Sequence, residues 1–149
     1  MTDFNILRKR YSEVLCGRGH SGKRTADCIL RSDERTEQRL AQLDTRIEKA
    51  ITSNEPGIVN ATLKGILDIS TSFSQNNSRF YHDENIKNKI FNALNALEKV
   101  YNDTIAPQGN WWYWEIGIPL SLNSIFTLMY DYADKSQLKR YMAAERHFN

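Results

Sequence analysis

Three tryptophans lie between positions 111 and 114, and they are the only tryptophans in the chain of 149 residues. Indole rings are large, flat and apolar, and each carries one N–H donor, which suits them to a core or to a partly wet binding surface. The apolar face of a sugar ring or a nucleobase can stack on such a ring. The residue types leave two interpretations open: the rings stack on a ligand, or they pack the end of a helical bundle.

Glu115 follows the tryptophans directly and stands among apolar residues. Two roles fit a carboxylate in that position. It can be a buried acid that hydrogen-bonds neighbouring backbone or an indole, or it can contact a ligand directly. We expect the buried acid.

The segment Gly17-Arg18-Gly19-His20-Ser21-Gly22-Lys23 has the glycine and lysine spacing of a phosphate-binding loop. Arg24 stands where that motif needs a serine or threonine for magnesium, and the preceding residues have helical rather than strand periodicity. We therefore interpret the segment as a basic loop and not as a nucleotide site.

Metal chemistry is not indicated by the histidines or the cysteines. His20, His82 and His147 are scattered along the sequence, and the spacing of Cys16 and Cys28 fits no zinc pattern. We predict no metal site. No Ser–His–Asp or Cys–His set follows from sequence order either.

The charge balance excludes some partners. Twenty basic and 18 acidic residues give a formal net charge of +2, which does not indicate nucleic-acid binding despite a locally basic N-terminal region. No apolar run approaches the roughly 20 residues that a membrane span needs. The N-terminus shows no signal-peptide pattern, so the sequence leaves the cellular location open.

The elements that must position the tryptophans are helices, because apolar residues recur at helical spacing almost throughout. The first helix is expected to begin with Asp3 as its N-cap and the second with Ser32, and Asp83 is expected to cap the fourth. The remaining predicted helices span 58–73, 119–132 and 136–146. Short loops between helices predict antiparallel helical hairpins and an all-α fold.

The segment 110–123, NWWYWEIGIPLSLN, resembles a signature of the polysaccharide lyases that cleave hyaluronan, chondroitin or xanthan. A looser similarity extends along most of the chain. In that family an α/α-toroid catalytic domain is followed by β-sandwich domains. The resemblance implies that residues 1–149 are the N-terminal portion of the toroid, and therefore an incomplete toroid.

The family resemblance also implies roles for individual residues. Paired tryptophans in the family hold an acidic polysaccharide in a cleft, and this role carries over to Trp111 and Trp112. Asn110 is expected to line the same cleft, and Trp114 to pack beneath it. The family commonly has Asp at the position of Tyr113, so the resemblance implies no particular polysaccharide among the family's substrates.

The family's reaction is β-elimination at a uronic acid, which needs no metal or organic cofactor. The catalytic asparagine, histidine, tyrosine, arginine and glutamate follow the matched region in the family, so we expect no catalytic residue within 1–149. We therefore expect a lyase-like domain that carries the substrate-binding aromatic patch and is inactive alone. The alternatives are a non-catalytic helical carbohydrate-binding module or a helical interaction protein. The incomplete toroid further predicts self-association or additional downstream domains.

Overall fold

The computed structural model describes residues 2–17 and 23–149, and within them the chain forms helices and no strand. A π-helix precedes α5, and a short 3₁₀ turn follows it. The helices are α1 Asp3–Leu15, α2 Lys23–Ser53, α3 Pro56–Ser74, α4 Glu84–Leu97, the π-helix Tyr113–Gly117, α5 Ile118–Met129, the 3₁₀ turn Tyr130–Tyr132 and α6 Lys135–Phe148. The predicted all-α fold of helical hairpins is confirmed.

Helix α1 lies on the outside of the molecule and buries none of its residues. Its N-cap is Thr2 rather than the predicted Asp3, which is instead the first helical residue. Polar contacts hold the helix to the middle of α5 and to the 3₁₀ turn that follows α5. Tyr11 Oη lies 3.2 Å from Ser124 Oγ, and Arg8 pairs with Asp131 at 3.1 Å.

Helices α2 and α3 form an antiparallel hairpin along a polar seam. Thr36 Oγ1 lies 2.8 Å from Ser72 Oγ, and Arg39 Nε donates to Asp68 Oδ2 at 3.0 Å. The prediction that Ser32 begins the helix is wrong, because α2 already begins at Lys23. The Ser32 hydroxyl lies 3.3 Å from Ser72 Oγ, so a contact with α3 occupies the group that a cap would use.

The boundaries of α3 and α4 follow local signals in the sequence. Pro56 stands in the first turn of α3, where a missing N–H costs nothing. Asp83 caps α4 as predicted, because its Oδ1 accepts a hydrogen bond from Ile86 N at 3.1 Å. Both signals act within a few residues, which is why the sequence reveals them.

Helices α3 and α5 lie side by side and run in the same direction, while α2, α4 and α6 run the opposite way. Asn60, near the start of α3, is close to Gly117, and Phe73, near its end, contacts Tyr132. Asn123 and Phe126 of α5 contact Glu145 and Tyr141 of α6, which fixes the antiparallel direction of that pair. The start of α3 and α5 is called the tryptophan end below, and the finish of both helices the opposite end.

The core lies between these helices and consists mainly of fully buried aliphatic and aromatic side chains. The largest are Trp114, Tyr101, Tyr141, Phe73, Leu63, Ile66, Ile69, Ile90, Leu94, Leu97, Ile118 and Leu122. Burial of side chains of this size is the dominant favourable term in folding. Among the described residues, the helices are too short or too polar for any of them to cross a bilayer.

Candidate functional site

The π-helix Tyr113–Gly117 places the tryptophans at the tryptophan end of the molecule. Ile118 N donates to Tyr113 O, the wider hydrogen bond that defines this kind of turn. Asn110 starts the segment, because its Oδ1 accepts from Trp112 N at 3.0 Å and its backbone oxygen from Tyr113 N at 3.2 Å. Periodicity gave no sign of the π-helix, and the predicted helix began two residues after it.

Trp114 anchors this segment in the core, as the sequence argument expected. Its side chain is 1% exposed, and its Nε1–H donates to Gln108 O at 2.7 Å. Its ring stacks at 6.1 Å from Tyr101 and lies 4.7 Å from Phe148. Tyr101 Oη also donates to Trp114 O at 3.2 Å, and burial raises the pKa of this phenol. The anchor therefore ties the exposed turn to α4 and α6.

Trp112 lies directly on Gly117. A Cβ atom at position 117 would stand 2.6 Å from Trp112 Cζ3 and 3.1 Å from Asn60 Oδ1. Such distances are far inside van der Waals contact, so only glycine leaves room for this indole orientation. The side of Asn60 that faces this contact is buried, and Oδ1 has no hydrogen-bond partner within the described parts of the chain.

Trp111 and Trp112 reach the surface from this buried support. Trp111 is 60% exposed and Trp112 is 37% exposed, in contrast to the buried Trp114. Asn110 is exposed beside them, and its amide nitrogen has no partner in residues 2–17 or 23–149. The structure thus brings the three predicted site residues together on one exposed turn, called the tryptophan surface below.

Glu115 and Tyr113 adjoin the tryptophan surface. Glu115 is exposed, so the prediction of a buried acid is wrong, and its carboxylate faces solvent beside the indoles. The π-helix explains the error, because it turns Glu115 outward while Trp114 and Gly117 face inward. Tyr113 packs over Gly57 and meets the Trp112 ring edge-on at 5.4 Å.

Glu145 of α6 is a titratable group that sequence reasoning missed. Asn123 Nδ2 donates to its Oε2 at 3.3 Å, while Oε1 is buried and has no partner among the described residues. Burial raises the pKa of the Glu145 carboxyl to about 7, and the hydrogen bond from Asn123 opposes this only partly. Helical spacing places Glu145 on the inner face of α6, but only the fold shows what lies opposite it.

The remaining candidate groups do not gather into a second chemical centre around the tryptophans. His147 Nε2 lies 2.8 Å from Ile105 O, whereas His82 lies at the opposite end. His20 and most of the glycine-rich basic segment fall outside the described residues. Cys16 is buried and Cys28 is exposed. Within the described ranges no His, Cys, Asp and Glu side chains group closely enough to hold a metal ion.

Comparison with known proteins assigns this fold. The profile of polysaccharide lyase family 8, N-terminal alpha-helical domain, matches residues 27–149. The match includes the tryptophan surface, most of α2 and all of α3, α4, α5 and α6. The chain therefore belongs to polysaccharide lyase family 8, as its N-terminal helical domain.

Two curated relatives show how much of a longer protein this region represents. Xanthan lyase of Bacillus sp. (strain GL1) is 27% identical over 157 residues, which cover 98% of this chain and 17% of that protein. Hyaluronate lyase of Thermasporomyces composti is 24% identical over 161 residues, covering 98% of this chain and 20% of that protein. The chain thus spans about a fifth of the length of these relatives.

Solved structures of chondroitin AC lyase from Streptomyces coelicolor A3 share the fold. A mutant form superposes with a TM-score of 0.86 at 20% identity, covering 99% of this chain and 21% of that chain. A complex with chondroitin sulphate superposes with a TM-score of 0.82 at 20% identity, with the same coverages of 99% and 21%. The predicted membership in this lyase family and the all-α, toroid-type fold are both confirmed.

Proposed function

We propose that this chain is the part of an acidic-polysaccharide lyase that holds the substrate, and that Asn110, Trp111 and Trp112 form its sugar-binding surface. The observation that carries the proposal is the contrast in burial along one turn. Trp114 is sealed in the core, while the adjacent Trp111 and Trp112 stay 60% and 37% exposed on a rigid support. Large exposed indoles beside hydrogen-bonding amides are the usual lining of a ligand site.

The chemistry of the turn suits a sugar. The apolar C–H face of a pyranose ring can stack on either indole, and the free amide nitrogen of Asn110 can donate to a hydroxyl or carboxylate oxygen. Exposure argues against the alternative in which these two rings serve only as internal packing. The chondroitin sulphate complex of the structurally similar lyase supports an acidic polysaccharide as the ligand class.

The parent reaction, on this proposal, is β-elimination at a uronic acid. A base removes the C5 proton, the carboxylate is neutralised to make that proton more acidic, and the bond to the leaving sugar breaks without a cofactor. None of these steps is assigned to a residue of this chain, which contributes binding and orientation. We therefore expect binding of the polysaccharide without cleavage when this chain is alone.

Titration with hyaluronan, chondroitin and xanthan oligosaccharides tests the proposal, with tryptophan fluorescence as the binding signal. Trp111→Ala and Trp112→Ala should each weaken binding about fivefold to tenfold, because each removes one stacking face. Leu120→Ala is the matched control, since Leu120 is a 59% exposed apolar residue outside the turn. It should bind like the native chain.

Ultraviolet absorbance of the same samples monitors unsaturated products. Absorbance growth would contradict the expectation that catalysis lies elsewhere. A fluorescence change without product would support a binding role. If none of the oligosaccharides binds, or if the Leu120 variant loses as much affinity as the tryptophan variants, the assignment of the tryptophan surface is refuted.

A further inference from the structure

A concave surface lies at the opposite end of the molecule, far from the tryptophan surface. It is a cavity of about 510 Å³ between α1, the turn that follows α3 and the 3₁₀ turn after α5. Helix α3 has 19 residues, and a helix of that length spans about 28 Å. The two sites are therefore separated by roughly the length of α3.

One wall of this cavity is a polar face of α1. Asn5, Lys9 and Ser12 line it, and their spacing of four and three residues places them on one side of the helix. No side chain of these three makes a hydrogen bond or an ion pair with any residue in 2–17 or 23–149. An amide, an ammonium group and a hydroxyl thus line the cavity without a partner among the described residues.

The opposite wall is aromatic and fixed in place. The His82 ring stacks on Tyr81 at 3.8 Å with 22° between the planes, and Tyr132 Oη lies 3.4 Å from His82 Nε2. His82 N also donates to Phe73 O at 3.0 Å, and the residue has a φ of 52°. A left-handed backbone is uncommon for a residue other than glycine, and here packing on both sides holds it.

The charge of the cavity is set by Lys9. Arg8 also lines it, but its guanidinium is paired with Asp131 at 3.1 Å and lies 4.9 Å over the Tyr130 ring. That pair is nearly neutral, whereas Lys9 has no acidic partner among the described residues. The Arg8 Nε atom is buried and lacks a hydrogen-bond partner within the same residues. Among the described residues that line it, the cavity therefore carries one uncompensated positive charge, that of Lys9.

We propose that this cavity binds one acidic sugar unit, with the sugar ring against the exposed side of Tyr81, which is 41% exposed, and the carboxylate or sulphate at Lys9. Aromatic faces match the apolar side of a sugar, and the amide and hydroxyl of α1 match its hydroxyl groups. A charge-assisted bond to Lys9 then selects an acidic unit over a neutral one. The identification of the ligand as a polysaccharide rests on the proposed function, while the site itself does not use the tryptophans.

Such a site would hold a long polymer at a second place on the surface. Two linked contacts on one polymer strengthen its total binding even when each contact is weak. A short oligosaccharide reaches only one site at a time. Titration with short oligosaccharides should therefore give separate affinities for the tryptophan surface and for the cavity.

Backbone amide shifts in ¹⁵N-labelled full chain test the proposal, with chondroitin sulphate and hyaluronan tetrasaccharides as probes. We expect shifts at Asn5, Ser12 and His82 that saturate. Lys9→Ala should weaken this binding about fivefold, the usual effect of losing one accessible charge contact. Tyr81→Ala should also weaken it. Lys64→Ala, which removes an exposed lysine from the outer face of α3, should leave it unchanged.

Three probes distinguish the outcomes. Hyaluronan lacks sulphate, so comparison with chondroitin sulphate shows which acid group is bound. The neutral cellotetraose should bind much more weakly, and equal binding would overturn the role of Lys9. Inorganic sulphate that reproduces the sugar-induced shifts at the same concentration would reduce the cavity to an unspecific anion site and overturn the proposal.

The double variant Trp111→Ala, Trp112→Ala separates this inference from the proposed function. It should retain the shifts around His82 while losing those around Asn110. Shifts around Asn110 alone in the native chain would refute the second site and leave the proposed function standing. Shifts around His82 alone would support the second site and refute the proposed function of the tryptophan surface.

Discussion

Glu145 lies in an environment that disfavours the ionised form of its carboxyl group. It sits partly buried on the inner face of α6, and one of its oxygens has no partner among the described residues. A desolvated carboxyl resists ionisation, which raises its pKa from the ordinary 4.5 to about 7. The side chain therefore makes folding depend on pH.

The direction of that dependence follows from the raised pKa. Below pH 4.5 the carboxyl is protonated in both the folded and the unfolded chain, and it favours neither. Between pH 4.5 and 7 it ionises only when unfolded, so the free energy of unfolding falls as the pH rises. Above about 7 the loss is complete, at about 1–2 kcal/mol after allowance for solvent.

Glu145→Gln removes the ionisation and keeps the shape of the side chain. The variant should be about 1–2 kcal/mol more stable than the native chain at pH 8 and equally stable at pH 4. Urea unfolding across this pH range measures the difference, in which contributions of other titrating groups cancel. A difference between the two proteins that stays constant with pH would show that Glu145 is not the group responsible.

At the scale of elements, the π-helix is the feature on which the tryptophan surface depends. Trp111 and Trp112 directly precede it and are exposed, whereas Trp114 within it is buried in the core. Gly117 closes the turn beneath the Trp112 ring, where a Cβ would be only 2.6 Å from Cζ3. The buried Gly117 therefore sets the position of the exposed Trp112 indole.

Gly117→Ala should displace the Trp112 ring and weaken oligosaccharide binding about as much as Trp112→Ala does. Because the indole is partly exposed and can swing outward, the cost in stability should stay within about 1–2 kcal/mol. Gly65→Ala is the control, because a Cβ there meets only the flexible Arg39 side chain at 3.4 Å. Fluorescence titration and thermal unfolding are the two measurements. Native affinity in a folded Gly117 variant would contradict the positioning role.

The helices themselves could be predicted from the sequence to a considerable extent, and the reasons differ from one element to the next. Asp83 was identified as a cap because its hydrogen bond to Ile86 N closes within three residues. Ser32 was misassigned because its hydroxyl meets Ser72, which is 40 residues away. A signal that acts within a few residues can be recognised in the sequence, whereas a competing contact with another helix cannot.

The tryptophan site was partly accessible in the same way. Residue types and the family signature indicated Asn110, Trp111 and Trp112, while the orientation of Glu115 depended on a π-helix that has no periodic signature. The cavity near Lys9 and His82 was not foreseen. Lys9 and His82, which lie on its two walls, are 73 residues apart in sequence, and only packing brings them together.

At the scale of the whole molecule, exposed apolar side chains indicate that parts of the surface are suited to contacts with other protein segments. Leu7 is 64% exposed and Val14 is 74% exposed on α1, and Leu30 is 60% exposed on α2. A groove of about 440 Å³ between α2 and α4 is lined by Leu43, Ile47, Ile51, Ala93 and Ala96, among others. Surfaces of this kind usually mark contacts with other protein segments.

We therefore expect this chain, taken alone, to self-associate as its concentration rises and to bind a hydrophobic dye. Each exposed leucine or valine that becomes buried contributes about 1–2 kcal/mol to association. Replacing Leu7 and Val14 by glutamine should lower the association measured by sedimentation velocity. Leu120→Gln, which alters an equally exposed residue at the tryptophan end, is the control and should associate like the native chain.

The outcome shows which surface drives association. If the α1 variants become monomeric, the face that drives association is the one that α1 offers to a neighbouring segment. If they associate unchanged, the groove between α2 and α4 becomes the surface to test next, with Ile47→Gln. A native chain that remains monomeric at all concentrations without binding dye would contradict the prediction, because its apolar side chains would then need no partner.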